Sequence, residues 1–342
     1  MTAASHPPSD AELAERIARM ICAMQPGASS VEVTDLRRLS GGNARRAWAF
    51  TAGWDVIGKR HRVHCVMLCK VGAGQLEADL GREFRTLAAL SGRELPIPRT
   101  LWLDEAGVFL GVPGFVMERG EGVSDVLALL NPADPAITRT LVEHLLRIGA
   151  ALHAADWRGA DLDFLADGPV EDAPRRELQR WEDRFRQNRM EPHPILSSIF
   201  DWLHRHLPSP SHISVVHGDF RIGNFLYRER RIELLLDWEM VHLGDPLEDV
   251  AWIYRRLWSP EAFLPLPDAI AIYAAAAGRS VRATDLLYYR IFSEMKFAVI
   301  SMTAARSYFD GRTENLRLAG RMFAVPECLE RCLAWMDQWE AA

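Results

Sequence analysis

The sequence predicts an α+β protein whose strands crowd into the first third and whose helices fill the rest. Three observations carry that reading. From Val31 to about Arg119, short β-rich runs alternate with glycine turns. After Gly122, apolar residues recur instead at helical spacing. The 342 residues, 49% of them apolar and 25% charged, supply enough core for one large or two moderate bodies.

Asp10 is expected to cap a first helix that runs to about Met24 and ends at Pro26-Gly27. VEVTDLRRL, ARRAWAF, RVHCVMLCK, RTLWLD and GFVMER then read as strands, with turns at SGGN and near Gly53. One helix interrupts them, from about Gln75 to Leu90, with Leu76, Leu80, Phe84 and Leu87 on one stripe. In the second part, Ile137, Leu141, Leu145, Ile148 and Leu152 fall three and four apart, as a core-facing stripe should. Further helices are expected over about 174–189, 195–207, 246–257, 266–276, 284–309 and 314–340. Short strands are expected around Val215, Phe225 and Leu235. The two parts join near residues 117–123, which divides the chain into 1–119 and 120–342.

Charge and composition exclude several classes. A formal net charge of -6 argues against a nucleic-acid partner, because phosphate backbones need a basic surplus. The first twenty residues carry acids and prolines where a secretory signal would have a basic end and an apolar core. No uninterrupted apolar run approaches the roughly 20 residues that span a bilayer, so a membrane partner is not expected. The five cysteines form no Cys-x-x-Cys pair and are expected to be buried, reduced and free of metal. These features together predict a cytoplasmic protein.

The chemistry-bearing residues lie in VVHGDFRIGNFLY (215–227) and LLLDWE (234–239). Phosphoryl transfer needs a carboxylate to orient and accept the proton of an attacking hydroxyl, magnesium on the nucleotide phosphates, and cations beside them. Asp219 fits the first role. Asn224 and Asp237 offer the hard oxygens that Mg2+ prefers, and a neutral carboxamide beside a carboxylate limits like-charge repulsion. Upstream, LSGGNARRAWAF places Ser40, Gly41, Gly42 and Asn43 between two strands, where backbone N–H groups can approach phosphate oxygens. The stretch lacks both the Gly-Lys-Ser/Thr ending of a P-loop and a G-x-G-x-x-G. Lys70 closes a strand and Glu83 lies on the following helix, turned toward the sheet; such a pair holds the α and β phosphates in kinases. Met117, Glu118 and Arg119 would meet an adenine edge with their backbone groups.

The set LSGGN, Lys70, Glu83, HGDFRIGN, LLLDWE and GDPLEDVAW resembles the aminoglycoside phosphotransferase and choline kinase family, in order, from about residue 31 onward. The wording HGDFRIGN, LDWE and GDPLEDVAW is most similar to the branch containing the kinase-like domain of certain large acyl-CoA dehydrogenases. The resemblance implies a two-lobed protein-kinase-like fold, Asp219 as catalytic base, Asn224 and Asp237 as Mg2+ ligands, and Lys70 with Glu83 at the ATP phosphates. It also implies that His217 and Asp249 hold the catalytic loop by hydrogen bonds. Arg221 is left open between facing substrate and pairing with an acid.

Asp237 is followed at once by WEMVHLGDP and a helix near Pro246, which leaves no room for the activation segment of a protein kinase. The expected acceptor is therefore the hydroxyl of a small molecule. Tyr288, Tyr289, Arg290, Lys296 and Arg306, if they line the acceptor cleft, suit a hydroxylated molecule with an apolar body and an acidic end better than a polyamine. Hydroxyacyl acceptors, associated with that branch, agree with this expectation. An antibiotic kinase or a catalytically silent nucleotide-binding protein is the alternative.

Overall fold

The computed structural model describes residues 9–39, 45–70, 79–210 and 212–340. The chain forms two compact units, one of Met1–Ser91 with Ile97–Gly120, the other of Gly92–Pro96 with Glu121–Ala342. The expected division at 119/120 thus acquires an exception: residues 92–96 belong with the second unit. The cause is local, since the Pro96 carbonyl accepts the Leu235 N–H at 2.7 Å.

The first unit opens with helix α1 (Asp10–Met24). Its cap is Ser9, whose hydroxyl accepts the Glu12 N–H at 3.2 Å, and Asp10 is the first helical residue. Five strands follow: β1 (Ser29–Arg38), β2 (Arg45–Val56), β3 (Lys59–Lys70), β4 (Thr100–Asp104) and β5 (Gly114–Glu118). They form one antiparallel sheet in the order β1-β2-β3-β5-β4. Leu13, Ile17, Met20 and Ile21 of α1 pack with Phe50, Trp54, Met67, Trp102 and Val116 in a single apolar cluster. That burial fixes the sheet's inner face. Helix α2 (Leu80–Leu90) is capped by Asp79, and its Phe84 meets Phe115 edge to face at 5.8 Å between ring centroids.

The turn expected near Gly53 is five residues further on. Gly53 lies inside β2, opposite Arg62, and the chain reverses at Ile57-Gly58, with φ of 50° and 74°. A two-residue hairpin of type I′ has both central residues in that left-handed region, which matches the twist of the flanking strands.

The second unit contains α3 (Val126–Leu130), α4 (Pro135–His153), α5 (Ala173–Asn188) and α6 (Pro194–Arg205), then β6 (Ser214–Val216), β7 (Phe225–Arg228), β8 (Arg231–Leu235) and β9 (His242–Gly244). Helices α7 (Leu247–Ile253), α8 (Leu266–Ala277), α9 (Ala283–Phe309), α10 (Leu316–Ala319) and α11 (Val325–Glu340) complete it. The strands pair as two small antiparallel ribbons, β6 with β9 and β7 with β8. The single helix expected over 314–340 is interrupted by a 3-10 turn at Gly320–Ala324, where glycine weakens the helix and Pro326 suits the first turn of a new one. Helix α9 is buried over most of its middle circumference, which makes it the central element of this unit.

Cys65, Cys69, Cys328 and Cys332 are buried, and Cys22 is exposed, contrary to expectation, on the outer face of α1. Burial pushes the Cys65 and Cys69 thiols up to about 12, so they stay neutral. Among the described residues, no helix is long and apolar enough to cross a membrane.

Candidate active site

The loop HGDFRIGN leaves β6 at His217 and enters β7 at Phe225. Its entry requires glycine. Gly218 has φ of 83°, and a Cβ there would sit 2.5 Å from the Met240 carbonyl oxygen. The backbone is held from below by Asp249, fully buried in the first turn of α7, whose carboxylate accepts the His217 N–H (2.7 Å) and the Gly218 N–H (2.9 Å). The same carboxylate meets His153 Nε2 at 3.2 Å, and His153 Nδ1 lies 2.8 Å from the Tyr273 hydroxyl. His217 uses both ring nitrogens: Nδ1 accepts the Asp219 N–H (3.2 Å), and Nε2 donates to the Leu236 carbonyl (3.0 Å). Burial lowers its pKa, so the neutral ring with its proton on Nε2 satisfies both bonds.

A third support comes from α9. Lys296, fully buried, donates to the Gly218 carbonyl (2.6 Å) and to Glu248 (2.8 Å). Glu248 is also 3.1 Å from His242 Nε2, and Arg180 donates to Glu177 at 2.6 Å. The ligand atoms of Glu177, His242 and Glu248 lie within 4.8 Å of one another, a spacing that would suit a metal ion. Here Lys296, Arg180 and His242, whose pKa the two glutamates raise, supply the positive charge, so the cluster is an ion network of side chains.

Asp219 itself is buried. Its Oδ1 accepts from Arg221 Nε (2.9 Å) and Trp252 Nε1 (2.6 Å), and its Oδ2 accepts from the Asn224 carboxamide. Burial raises the pKa of this carboxyl, but the Arg221 charge and the hydrogen bonds from Trp252 and Arg221 outweigh it and hold the pKa below the usual value. Arg221 therefore pairs with an acid, and its guanidinium lies 4.8 Å from the Trp258 ring centroid.

Asn224 is brought against Asp219 as the spacing predicts, with Nδ2 also 2.9 Å from the Asp219 backbone carbonyl. That leaves its side-chain oxygen as the free hard donor. The Leu236 N–H donates to the Asn224 carbonyl at 2.8 Å, which ties the residue before Asp237 to the loop. Asp237 is exposed and has φ of 67°, a costly conformation for a non-glycine residue. A carboxamide oxygen and an exposed carboxylate, tied together through the Leu236–Asn224 backbone bond, match the donor set that Mg2+ takes.

In the first unit, among the described residues, Glu83 pairs with Arg45 and not with the expected Lys70. Glu83 is buried against the Arg45 guanidinium, whereas Lys70 is exposed at the end of β3. Arg45 stands directly opposite Lys70 in the β2–β3 register, so the neighbouring strand provides the cation that reaches α2. Ser40, Gly41, Gly42 and Asn43 lie outside the described residues. Met117 and Glu118 end β5 beside Val66 and Cys65. The Glu118 and Arg119 N–H groups are already bonded to the Arg99 and His64 carbonyls at 2.8 Å each, so they are not free for an adenine edge.

The residues expected to line an acceptor cleft are mostly core. Tyr288 is fully buried with its hydroxyl on the Leu203 carbonyl (3.1 Å), Tyr289 is buried beside it, and Lys296 supports the loop. Arg290 lies over the Trp335 ring at 4.3 Å and Arg306 pairs with Asp310 at 2.7 Å. Trp252 is the contributor that sequence reasoning missed, and Lys296, expected in the acceptor cleft, holds the Gly218 carbonyl instead. The signal for Trp252 was its position three residues after Asp249 in GDPLEDVAW, on the same face of α7.

Mus musculus acyl-CoA dehydrogenase family member 10 is 30% identical to this chain over 184 residues, 53% of this chain and 17% of that protein. Gallus gallus acyl-CoA dehydrogenase family member 11 is 24% identical over 315 residues, 86% and 39% respectively. The chain thus spans well under half the length of these curated relatives. Among solved structures, a candidate aminoglycoside phosphotransferase from Ralstonia eutropha matches with a TM-score of 0.74 at 22% identity, covering 95% of this chain and 98% of that one. A macrolide 2′-phosphotransferase from Brachybacterium faecium matches at 0.56 and 16% identity, covering 91% and 98%. These likenesses establish the fold, the protein-kinase-like one expected from the sequence. With residues 35–286 matching its model, the chain belongs to the phosphotransferase enzyme family.

Proposed function

We propose that this protein is an ATP- and Mg2+-dependent kinase that phosphorylates a hydroxyl group of a small molecule, a hydroxy acid or hydroxyacyl compound. The observation that carries the reading is Asp219, a buried carboxylate kept ionised by Arg221 and Trp252 and fixed by Asn224. Oδ1 already accepts two bonds and Oδ2 one, so Oδ2 keeps a lone pair for an acceptor hydroxyl. A carboxylate of lowered pKa is a weak base. It suits a loose transition state, in which aligning the hydroxyl matters more than removing its proton early.

Asn224 and Asp237 would hold magnesium, which when bound neutralises charge on the nucleotide phosphates. The described connection from Asp237 to α7 consists of β9 and two short loops, which leaves no segment for docking a peptide. An antibiotic acceptor is the second reading, favoured by the fold neighbour solved with ADP and hygromycin B. The Arg221 cation beside Asp219 disfavours polycationic acceptors, and a resistance assay in a sensitive host separates the two.

The test is ATP consumption, with magnesium, against hydroxy acids, their CoA thioesters, amino alcohols, sugars and aminoglycosides. Turnover with one class should fall by several orders of magnitude in Asp219→Ala while ATP still binds. Undiminished turnover in that variant would remove Asp219 from the reaction.

A further inference from the structure

One oxygen of the Asp219 carboxylate is held by two donors from different parts of the chain, Arg221 Nε of its own loop at 2.9 Å and Trp252 Nε1 of α7 at 2.6 Å. Both donors rest on Trp258, a buried residue on the 3-10 turn Arg256–Trp258 that follows α7. Its indole N–H donates to the Trp252 carbonyl at 2.7 Å, one of the carbonyls that a helix leaves unpaired at its C-terminal end. The two indole rings meet with their centroids 5.0 Å apart. The Arg221 guanidinium lies over the Trp258 ring, 4.8 Å from its centroid. These contacts close a circuit that runs from Asp219 through Arg221, Trp258 and Trp252 and back to Asp219.

A ring face supports Arg221 in a way that a second acid could not. It attracts the cation through its quadrupole but offers no carboxylate lone pair to the guanidinium, so Nε stays on Asp219. Arg221 Nη1 is taken by the Ile222 carbonyl at 3.1 Å, which fixes the plane of the fork. Trp258 is fastened in turn. Phe297 of α9 meets it edge to face at 5.7 Å, and the Arg255 guanidinium lies 5.1 Å from its centroid. Arg255, itself buried, reaches the Cys328 sulfur of α11 at 3.3 Å and Glu294 of α9 at 3.4 Å. The support for Asp219 thus extends to two helices far from HGDFRIGN in sequence.

Resting on the reading of Asp219 as the group that meets the acceptor hydroxyl, we propose that Trp258 is a positioning residue for the transfer. It holds Arg221 and Trp252 so that Oδ1 of Asp219 is locked and Oδ2 keeps its aim at the hydroxyl. Alignment is where such a residue acts, because a reacting group displaced by about 1 Å can cost on the order of a hundredfold in rate.

The experiment measures ATP affinity and ATP consumption, with magnesium and a panel of hydroxy acids and their CoA thioesters, below the melting temperature of every variant. The variants are Trp258→Phe, Trp258→Leu, Arg221→Gln, and Trp258→Leu combined with Arg221→Gln. Trp258→Leu should lower kcat roughly tenfold to a hundredfold, with ATP affinity unchanged. Trp258→Phe, which keeps a ring face and loses the indole donor, should recover most of that loss. Beside Arg221→Gln the leucine should cost far less, because the cation that the ring supports is gone. A Trp258→Leu enzyme with wild-type kcat overturns the proposal, and so does a loss that is undiminished beside Arg221→Gln, the mark of a merely structural residue. Hydrogen exchange of the Trp252 indole, referred to that of the Trp181 indole bonded to Glu177 at 2.7 Å, reads the support without turnover. The ratio should rise in Trp258→Leu, and an unchanged ratio overturns the proposal as well. Failure of the kinase reading would look different: the Trp252 indole loosened in Trp258→Leu, but no ATP consumed by wild type with any acceptor.

Discussion

Asp219 and Arg221 are two residues apart on one loop, and their pairing controls the charge on which the proposed reaction depends. Burial alone would push the Asp219 carboxyl up; the Arg221 charge and the donors on Oδ1 keep it down. Arg221→Gln should therefore move the acid limb of the kcat/KM profile to higher pH, because the carboxyl loses its main opposing cation. An acid limb that stays in place would mean that Arg221 does not set this ionisation. The spacing of His217, Asp219 and Asn224 was legible in the sequence because a short loop between two strands must bring them together. Arg221 was not, since one loop cation can face either way. The Glu83 partner was misread for a different reason. Cross-strand register decides that Arg45 stands opposite Lys70, and register is not visible along one strand.

At the scale of elements, the catalytic loop is a passenger of two helices. Asp249 of α7 takes its two leading N–H groups, and Lys296 of α9 takes the Gly218 carbonyl. Lys296→Met would leave both that carbonyl and Glu248 without their buried cation. Removing one partner of a buried pair costs about 3–5 kcal/mol, so this variant should melt well below wild type in calorimetry. A melting temperature within a degree of wild type would show that Lys296 is not a structural tie. The periodicity of α9 revealed the helix, but a helix buried on nearly every side has no polar face from which to read the direction of one lysine. Helix α3 was missed because its five residues are too few to show a period. Two glycines five residues apart offer the same turn signal in the sequence, and only the backbone, left-handed at Ile57 and Gly58, distinguishes the hairpin turn from Gly53 within β2.

Across the whole molecule, the buried ion network gives stability a dependence on pH. Burial lowers the pKa of His242, but Glu177 and Glu248 overcome this and raise it to about 9 from 6.5. A raised histidine stabilises the fold fully below 6.5, and the contribution is lost as pH rises through about 9. Asp245, pushed up to about 7 chiefly by burial, acts in the same direction at lower pH, because its ionisation between 3.8 and about 7 disfavours the folded state. Glu248, held near 2, titrates outside this window. The melting temperature should thus decline between pH 6.5 and 9 in a differential scanning series; a flat profile would mean that His242 is not protonated in the fold.

The five residues Gly92–Pro96 belong with a body that otherwise begins at Glu121, and Pro96 supplies the carbonyl that holds Leu235, two positions before Asp237. A gene fragment starting at codon 121 therefore encodes an unfinished domain, with the last N–H of β8 unsatisfied beside a proposed metal ligand. Expressing the helical body alone calls for a rearranged reading order in which the 92–96 stretch is joined back by a new linker.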